Sequence, residues 1–510
     1  MRSLLACLVT SAFVFSSPVA AAWNAARSRH FVIYANEGPG ELSEFATKLE
    51  RFDQAARLAM RMDDPDQGKG NRLTIFVLSS TRDVQSVVGD KTGWLAGAYT
   101  GRVSGSLAYV PRSLDNPRVD PDSIFFHEYT HHLMMQALDR PYPEWYVEGF
   151  AEFLSTARID RDGSVEFGAP LNNRAYAILD GPQMSFEELA AGLRPGMSNE
   201  DRNSFYARSW LLSHYLQMSD KRKGQLNLYV QALSEGKAPL VAAQQVFGDL
   251  KQLDKELNAY RMQRFVGVKI LGNHIQPGPV QVQALSAGAS QVMPLRAKIE
   301  YAPRSPDAEQ LAAKVRLIES RYPGDDLIEN TLAQAELDSG HPQAAEAAAA
   351  RALKANPADT GAMVLEGRAF EDEAPAATGD ARKAVFERAR AEFVAANKID
   401  TEDPNALFEF FRSFVRQGQR PTPNAIAALH YASDLAPQDL AVRMNSGIAY
   451  LREGKPKDAR AALAVVAYSP HENPAQDTVK RMIADIDAGN ANAALIELRA
   501  AAARQPAGTK

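Results

Sequence analysis

The sequence predicts an α+β protein, in which a small mixed sheet and its surrounding helices are followed by an all-α helical-repeat solenoid. Three observations carry that prediction. Short β-branched apolar runs alternate with helical periodicity early in the chain. An apolar helical segment bearing imidazole and carboxylate side chains follows at His127. From about residue 306 the sequence turns alanine-rich, with prolines recurring at intervals of 33 or 34 positions.

Met1-Arg2, the apolar run Leu4 to Phe15, and Ser16-Ser17-Pro18-Val19-Ala20-Ala21-Ala22 make up the three parts of a secretory signal over residues 1–22. Cleavage after Ala22 leaves Trp23 first. The only cysteine, Cys7, lies inside that segment, so the mature chain contains none. Leu4-Leu5-Ala6-Cys7 has the look of a lipoprotein box, but the apolar run ahead of it is too short, and lipidation is not expected. No later stretch approaches the roughly 20 apolar residues that span a bilayer. The expectation is an exported protein of a bacterial periplasm, with a retained N-terminal membrane anchor as the alternative.

His30 to Ala35 and Leu73 to Leu78 are short, apolar and β-branched, and residues 42–62 between them have helical periodicity, so the domain opens β-α-β. Leu95 to Thr100 and Ser106 to Val110 flank Gly101-Arg102-Val103-Ser104-Gly105, which reads as a hairpin.

The next segment carries the chemistry. In His127-Glu128-Tyr129-Thr130-His131, a helical four-residue step sets both imidazoles on one face, about one turn apart. Asp122 or Ser123 is the expected N-cap. Catalytic zinc takes three protein ligands and leaves a fourth position for water, so a third donor is needed. Glu148, 17 positions past His131, is the candidate. Asp139-Arg140-Pro141-Tyr142-Pro143 between them ends one helix and opens another running back. Glu152 falls one turn after Glu148, where a carboxylate accepts the spare N–H of a ligating histidine. His132 points about 100° away from His131 and reads as a flank residue.

These residues resemble the gluzincin branch of zinc metallopeptidases, in which a His-Glu-x-x-His helix is followed by a helix of the pattern Trp145-x-x-Glu148-Gly149-x-Ala151-Glu152. The resemblance implies that His127, His131 and Glu148 hold one Zn2+ per chain, that Glu128 is the general base, and that Glu152 supports a histidine. It also implies an oxyanion donor on a downstream helix, for which residues 203–215 offer Tyr206, the preferred choice, and His214. By the same likeness the outer hairpin strand lies above the cleft and takes a peptide substrate as an added strand. The gap between His131 and Glu148 is shorter than in the best-known members, which touches the loop geometry and not the ligand set.

Gln276-Pro277-Gly278-Pro279 breaks the chain, and Val280 to Val282 and Leu295 to Tyr301 alternate as strands do, so residues 272–305 read as a β-rich connector. Beyond it, Pro323 and Pro357 are 34 positions apart and Pro437 and Pro470 are 33 apart, the tetratricopeptide period. The clearest units run from Asp325 to Ala358 and from Leu440 to Tyr468. Inserts at Glu371 to Asp380 and Gln417 to Asn424 stretch the spacing, giving four or five degenerate units. The domains are thus a signal peptide 1–22, a gluzincin-like metallopeptidase domain 23–271, the connector 272–305, tetratricopeptide-like repeats 306–502, and a disordered tail 503–510.

Composition is that of a globular protein of 510 residues, 45% hydrophobic and 23% charged, long enough for two or more cores. A formal net charge of −5 with no basic run gives no footprint for nucleic acid. The sequence therefore predicts an exported zinc metallopeptidase acting on a peptide or protein substrate, with repeats that recruit a protein partner or present substrate. Its rival is a non-enzymatic scaffold with a relic peptidase domain, and the intact set His127, Glu128, His131 and Glu148 favours the enzyme. Zinc-dependent hydrolysis of a non-peptide amide is a third reading.

Overall fold

β-branched and aromatic runs form the sheet, and the segments between them coil because their apolar residues recur at helical spacing. The computed structural model describes residues 22–64, 72–91, 93, 95–114, 120–136, 142–169, 174–194, 196–469 and 473–504. The expected signal segment apart from its last residue, the turn residues 139–141 and all but the first two residues of the expected tail lie outside them; the last helix includes residues 503 and 504.

Strand β1 (Asn24–Arg27) pairs antiparallel with β2 (Phe31–Ala35). Helix α1 (Pro39–Met60) then crosses over to β3 (Leu73–Ser80), which pairs parallel with β2, the predicted β-α-β unit. After α2 (Thr81–Val88), β4 (Ala98–Thr100) and β5 (Leu107–Ser113) form the predicted antiparallel hairpin, with β5 parallel to β3 and β4 outermost.

Helix α3 (Pro121–Gln136) carries the His-Glu-x-x-His segment and α4 (Glu144–Ser155) the glutamates. The N-terminus of α3 differs from expectation. The helix begins at Pro121, and the Asp120 carboxylate, not Asp122 or Ser123, accepts the first exposed amide, from Asp122 at 3.0 Å. Asp122 is engaged instead by Lys48 of α1. α1 and α3 pack through Phe52 of α1, which stacks on Phe126 at 4.1 Å and meets Tyr129 at 6.2 Å between ring centroids.

Strands β6 (Arg158–Ile159) and β7 (Val165–Phe167) precede α5 (Ala175–Leu179), α6 (Phe186–Ala190), α7 (Asn199–Met218), α8 (Gln225–Ser234), α9 (Pro239–Phe247) and α10 (Leu250–Tyr260). β8 (Val268–Ile270) joins β6 and β7 in a three-stranded sheet, and β9 (Gln281–Ala284) pairs antiparallel with β1 to complete a six-stranded mixed sheet.

The β-rich connector requires correction. Its first strand exists as β9, but Leu295 to Tyr301 belong to helix α11 (Ala287–Tyr301), capped by Ser286 and continuing through Pro294. The alternation of Leu295, Ala297, Ile299 and Tyr301 hid a helical stripe in which Ala289, Val292, Met293 and Ala297 are also buried. α11 serves two cores at once. Met293 and Ala297 pack with Phe76 and Tyr109 of the sheet, and Tyr109 donates to the Ala297 carbonyl at 3.0 Å. Val292 and Ile299 join the first repeats.

The array continues as α12 (Ala308–Glu319), α13 (Asp326–Asp338), α14 (Pro342–Ala355), α15 (Thr360–Glu373), α16 (Gly379–Ile399), α17 (Pro404–Gln417), α18 (Pro423–Leu435), α19 (Leu440–Arg452), α20 (Pro456–Ala467), α21 (Gln476–Asp487) and α22 (Ala491–Arg504). From α13 onward these form five consecutive helix pairs among the described residues, at the upper end of the predicted count. Gly340 and Gly454 take φ of 78° and 73° in equivalent turns, and Asp325, Asp359, Asp403 and Asp439 cap successive first helices.

Behind α3 lies a buried ionic network. His30 has Glu50 Oε2 2.7 Å from Nδ1 and Asp64 Oδ1 3.0 Å from Nε2. Both ring nitrogens therefore donate, which requires the imidazolium. Burial opposes that charge, but the hydrogen bonds to Asp64 and Glu50 and the charge of Asp53 outweigh it and raise the pKa to about 9. A pKa above the unfolded value stabilises the fold fully below about pH 6.5 and stops doing so as pH rises through about 9. Unfolding free energies from denaturant titrations at pH 6 and pH 10 are expected to differ by on the order of 3 kcal/mol more in the parent than in His30→Gln. Parallel curves would remove His30 as the source.

Candidate metal centre

The expected ligands meet. His127 Nε2 and His131 Nε2 are 3.2 Å apart, and Glu148 Oε2 lies 3.4 Å from the first and 3.5 Å from the second. Bonds of about 2.0–2.2 Å around a tetrahedral zinc separate donors by about 3.3–3.5 Å, so this triangle is the size of one face of such a tetrahedron. Two imidazoles and one carboxylate are also the donor types that suit zinc with a fourth position open. The residues present fit the ion.

Helical geometry and one glycine bring them together. The i, i+4 step on α3 aligns the imidazoles, and α4 turns Glu148 toward them. Gly149, next along, lets α7 cross closely, since a Cβ there would sit 2.2 Å from the Ser209 carbonyl oxygen. That crossing carries Tyr206 to His127, with ring centroids 6.3 Å apart.

Electrostatics favour the charged forms of Glu148 and His127. For Glu148, burial disfavours the anion, but the charge of His131 and hydrogen bonds from His127 and His131 keep its pKa well below the ordinary range. Burial likewise opposes a charged His127, yet Glu148, Glu152 and Glu128 raise it to about 9. An entering cation displaces that proton.

The remaining predicted residues are sited as follows. Glu128 is half-buried and accepts no hydrogen bond among the described residues. Glu152 Oε1 lies 3.8 Å from His127 Nδ1, the supporting position expected of it, but its stronger partner is Arg174, whose Nη2 is 2.8 Å away. Sequence reasoning missed Arg174. It also donates to Asn203 on α7, and its guanidinium lies over the Tyr206 ring, 4.9 Å from its centre. No motif marks it, because it joins the site from a non-periodic segment. Burial, and then the charges of Glu148 and Glu152, hold the Tyr206 hydroxyl protonated far above the ordinary tyrosine range.

His214, the other oxyanion candidate, is a core residue. It is fully buried among Trp210, Phe153 and Phe265, with Nδ1 2.8 Å from the Tyr260 hydroxyl. His132 bonds away from the trio, to the Tyr99 hydroxyl at 2.8 Å and to Gln136. His30, Asp53 and Asp64 also lie close enough together to hold a cation. Arg57, 2.8 Å from Asp53, already supplies positive charge there, and both His30 nitrogens are committed to carboxylates.

A cavity of about 950 Å³ lies elsewhere, between the β4–β5 hairpin and the inner helices α11, α13, α15 and α17, with Gln334, Arg368 and Arg412 at matching positions along its wall.

No protein-family model matches the sequence, and no curated protein matches it significantly. Among solved structures, a thermophilic TPR protein of Thermus thermophilus is 18% identical with a TM-score of 0.29, over 36% of this chain and 91% of that one. A tetratricopeptide repeat protein from Parabacteroides merdae is 13% identical with a TM-score of 0.29, over 56% of this chain and 93% of that one.

Proposed function

We propose that the chain is an exported zinc-dependent metallopeptidase whose N-terminal domain hydrolyses peptide bonds. The observation that carries this reading is the donor triangle of His127, His131 and Glu148, sized for a tetrahedral zinc face with one position left for water.

A zinc ion held there supplies a lowered water pKa and a polarised scissile carbonyl. The chain supplies the rest. Glu128, adjacent to the ligands and free of other hydrogen bonds among the described residues, accepts the water proton and returns it to the leaving nitrogen. Glu152 bears on His127 Nδ1 and orients the ring, while Arg174 holds the Glu152 carboxylate in place. Tyr206, held protonated beside His127, donates its hydroxyl to the oxyanion that develops on the carbonyl.

The test is metal analysis of the purified protein with digestion of a random peptide library. About one zinc per chain and cleavage that stops on chelation and returns with zinc are expected. Tyr206→Phe is expected to lower kcat by about 10²–10³-fold with little change in KM, the effect of removing one oxyanion donor. Full zinc occupancy with an undigested library would reject the peptidase reading.

The second reading, a non-enzymatic scaffold built on the repeats, draws its support from the polar cavity on their inner face. In the proposed enzyme that face recruits a protein partner.

A further inference from the structure

One stretch of the inner face of the repeat array, around α17 to α19, is already occupied by the chain's own hairpin, and the cavity beside it stays open. Asp439, buried in the turn between α18 and α19, divides its two carboxylate oxygens. Oδ1 accepts the Val442 amide at 2.8 Å and so caps α19, while Oδ2 accepts the Val103 amide of the hairpin loop at 2.7 Å. Its neighbour Gln438 donates from Nε2 to Ser106 Oγ at 3.0 Å, a buried contact. The backbones approach so closely that a Cβ on residue 101 would lie 2.7 Å from the Gln438 carbonyl oxygen, which is why glycine stands there. Val103 itself is buried among Leu407, Phe408, Leu429 and Val442 of the repeats. Arg102 donates to the backbone carbonyls of Glu300 and Tyr301 at the end of α11.

The other end of the hairpin reaches the metal helix. Tyr99 of β4 bonds His132 at 2.8 Å, one residue past the ligand His131. Just before β4, the Cβ direction of Gly97 points at Ile124 and passes 3.5 Å from Glu128 Cγ. β4 is the outermost strand of its sheet, and the loop that the repeats grip is its direct continuation.

We propose that Gln438 and Asp439 are positioning residues: by gripping residues 101–106 they fix the edge strand β4 beside Glu128, so that the repeat array braces one wall of the hydrolytic cleft. The inference rests on the hydrolytic reading for its consequence, but the grip itself is a physical link that can be measured separately.

Asp439→Asn separates the two jobs of the carboxylate. Asparagine is as good an N-cap as aspartate, so α19 keeps its cap, but its second side-chain atom is an NH₂ that cannot accept from Val103. Gly101→Ala drives the same surfaces apart sterically. In zinc-loaded full-length protein, amide exchange over residues 98–110 is expected to quicken by about 10- to 100-fold in Asp439→Asn, the factor that a lost hydrogen bond to a charged acceptor is worth. Exchange over residues 125–133 and zinc stoichiometry stay as in the parent. With fluorescein-labelled casein as substrate, both variants raise KM by about tenfold or more and leave kcat nearly unchanged, since an edge strand contributes uniform binding. A general loss of folding would move zinc content and kcat together and would not give that split.

Parent-like exchange in residues 98–110 in both variants overturns the proposal, and so does a parent-like KM despite faster exchange. If the zinc-loaded parent leaves casein intact, the hydrolytic reading fails on its own account. The grip is then judged by exchange alone, with faster hairpin exchange upholding it and unchanged exchange overturning it.

Discussion

Glu128→Gln is expected to retain about one zinc per chain and to lose peptide hydrolysis by about 10²–10⁴-fold in kcat, the range that a positioned general base contributes. Glutamine matches glutamate in shape and cannot take a proton, and Glu128 is not one of the three donors that converge at 3.2–3.5 Å. Metal content measured beside turnover separates the two roles. Turnover equal to the parent's, with zinc present, would strip Glu128 of the base assignment.

His131→Ala is expected to weaken zinc binding well beyond the roughly 10–100-fold that loss of an outer hydrogen-bond partner costs, because it removes one of three protein donors outright. It also leaves Glu148 buried with only His127 to offset its desolvation, the His131 charge and hydrogen bond being lost. Glu152→Gln is the graded comparison. It leaves the donor triangle whole and alters only the support of His127 Nδ1, so its loss belongs in the roughly 10–100-fold class. Equilibrium dialysis against a competing chelator ranks the two, and His131→Ala binding zinc as tightly as Glu152→Gln does would break the ligand assignment.

The parts of this site that were legible in the sequence are those encoded by local periodicity. A four-residue step on one helix and a carboxylate on the next, with prolines between, specify a meeting of side chains that needs no knowledge of the rest of the chain. The β-α-β opening and the hairpin were legible for the same reason, and so were the repeat helix pairs, through the recurring prolines between them. Arg174 was not, because its partners Glu152 and Asn203 sit on other elements and nothing in its own segment is periodic. The contact between Val103 and Asp439 spans 336 positions and has no local signature at all. α11 was misread because Pro294 and a run of alternating apolar residues imitate a broken strand, whereas burial against two different cores selects the helix. Tyr206 and His214 share one helix and were separable only by what packs on each: Arg174 and His127 on the first, a shell of aromatic rings on the second.

The double allegiance of α11 bears on how this molecule can be cut. A gene fragment ending before residue 287 would strip Phe76 and Tyr109 of their cover and deliver a sticky half-protein. One beginning after residue 301 would leave the first repeats without their leading partner. Whatever trims or fuses this chain must carry that single helix with both neighbours, because its two faces belong to different cores.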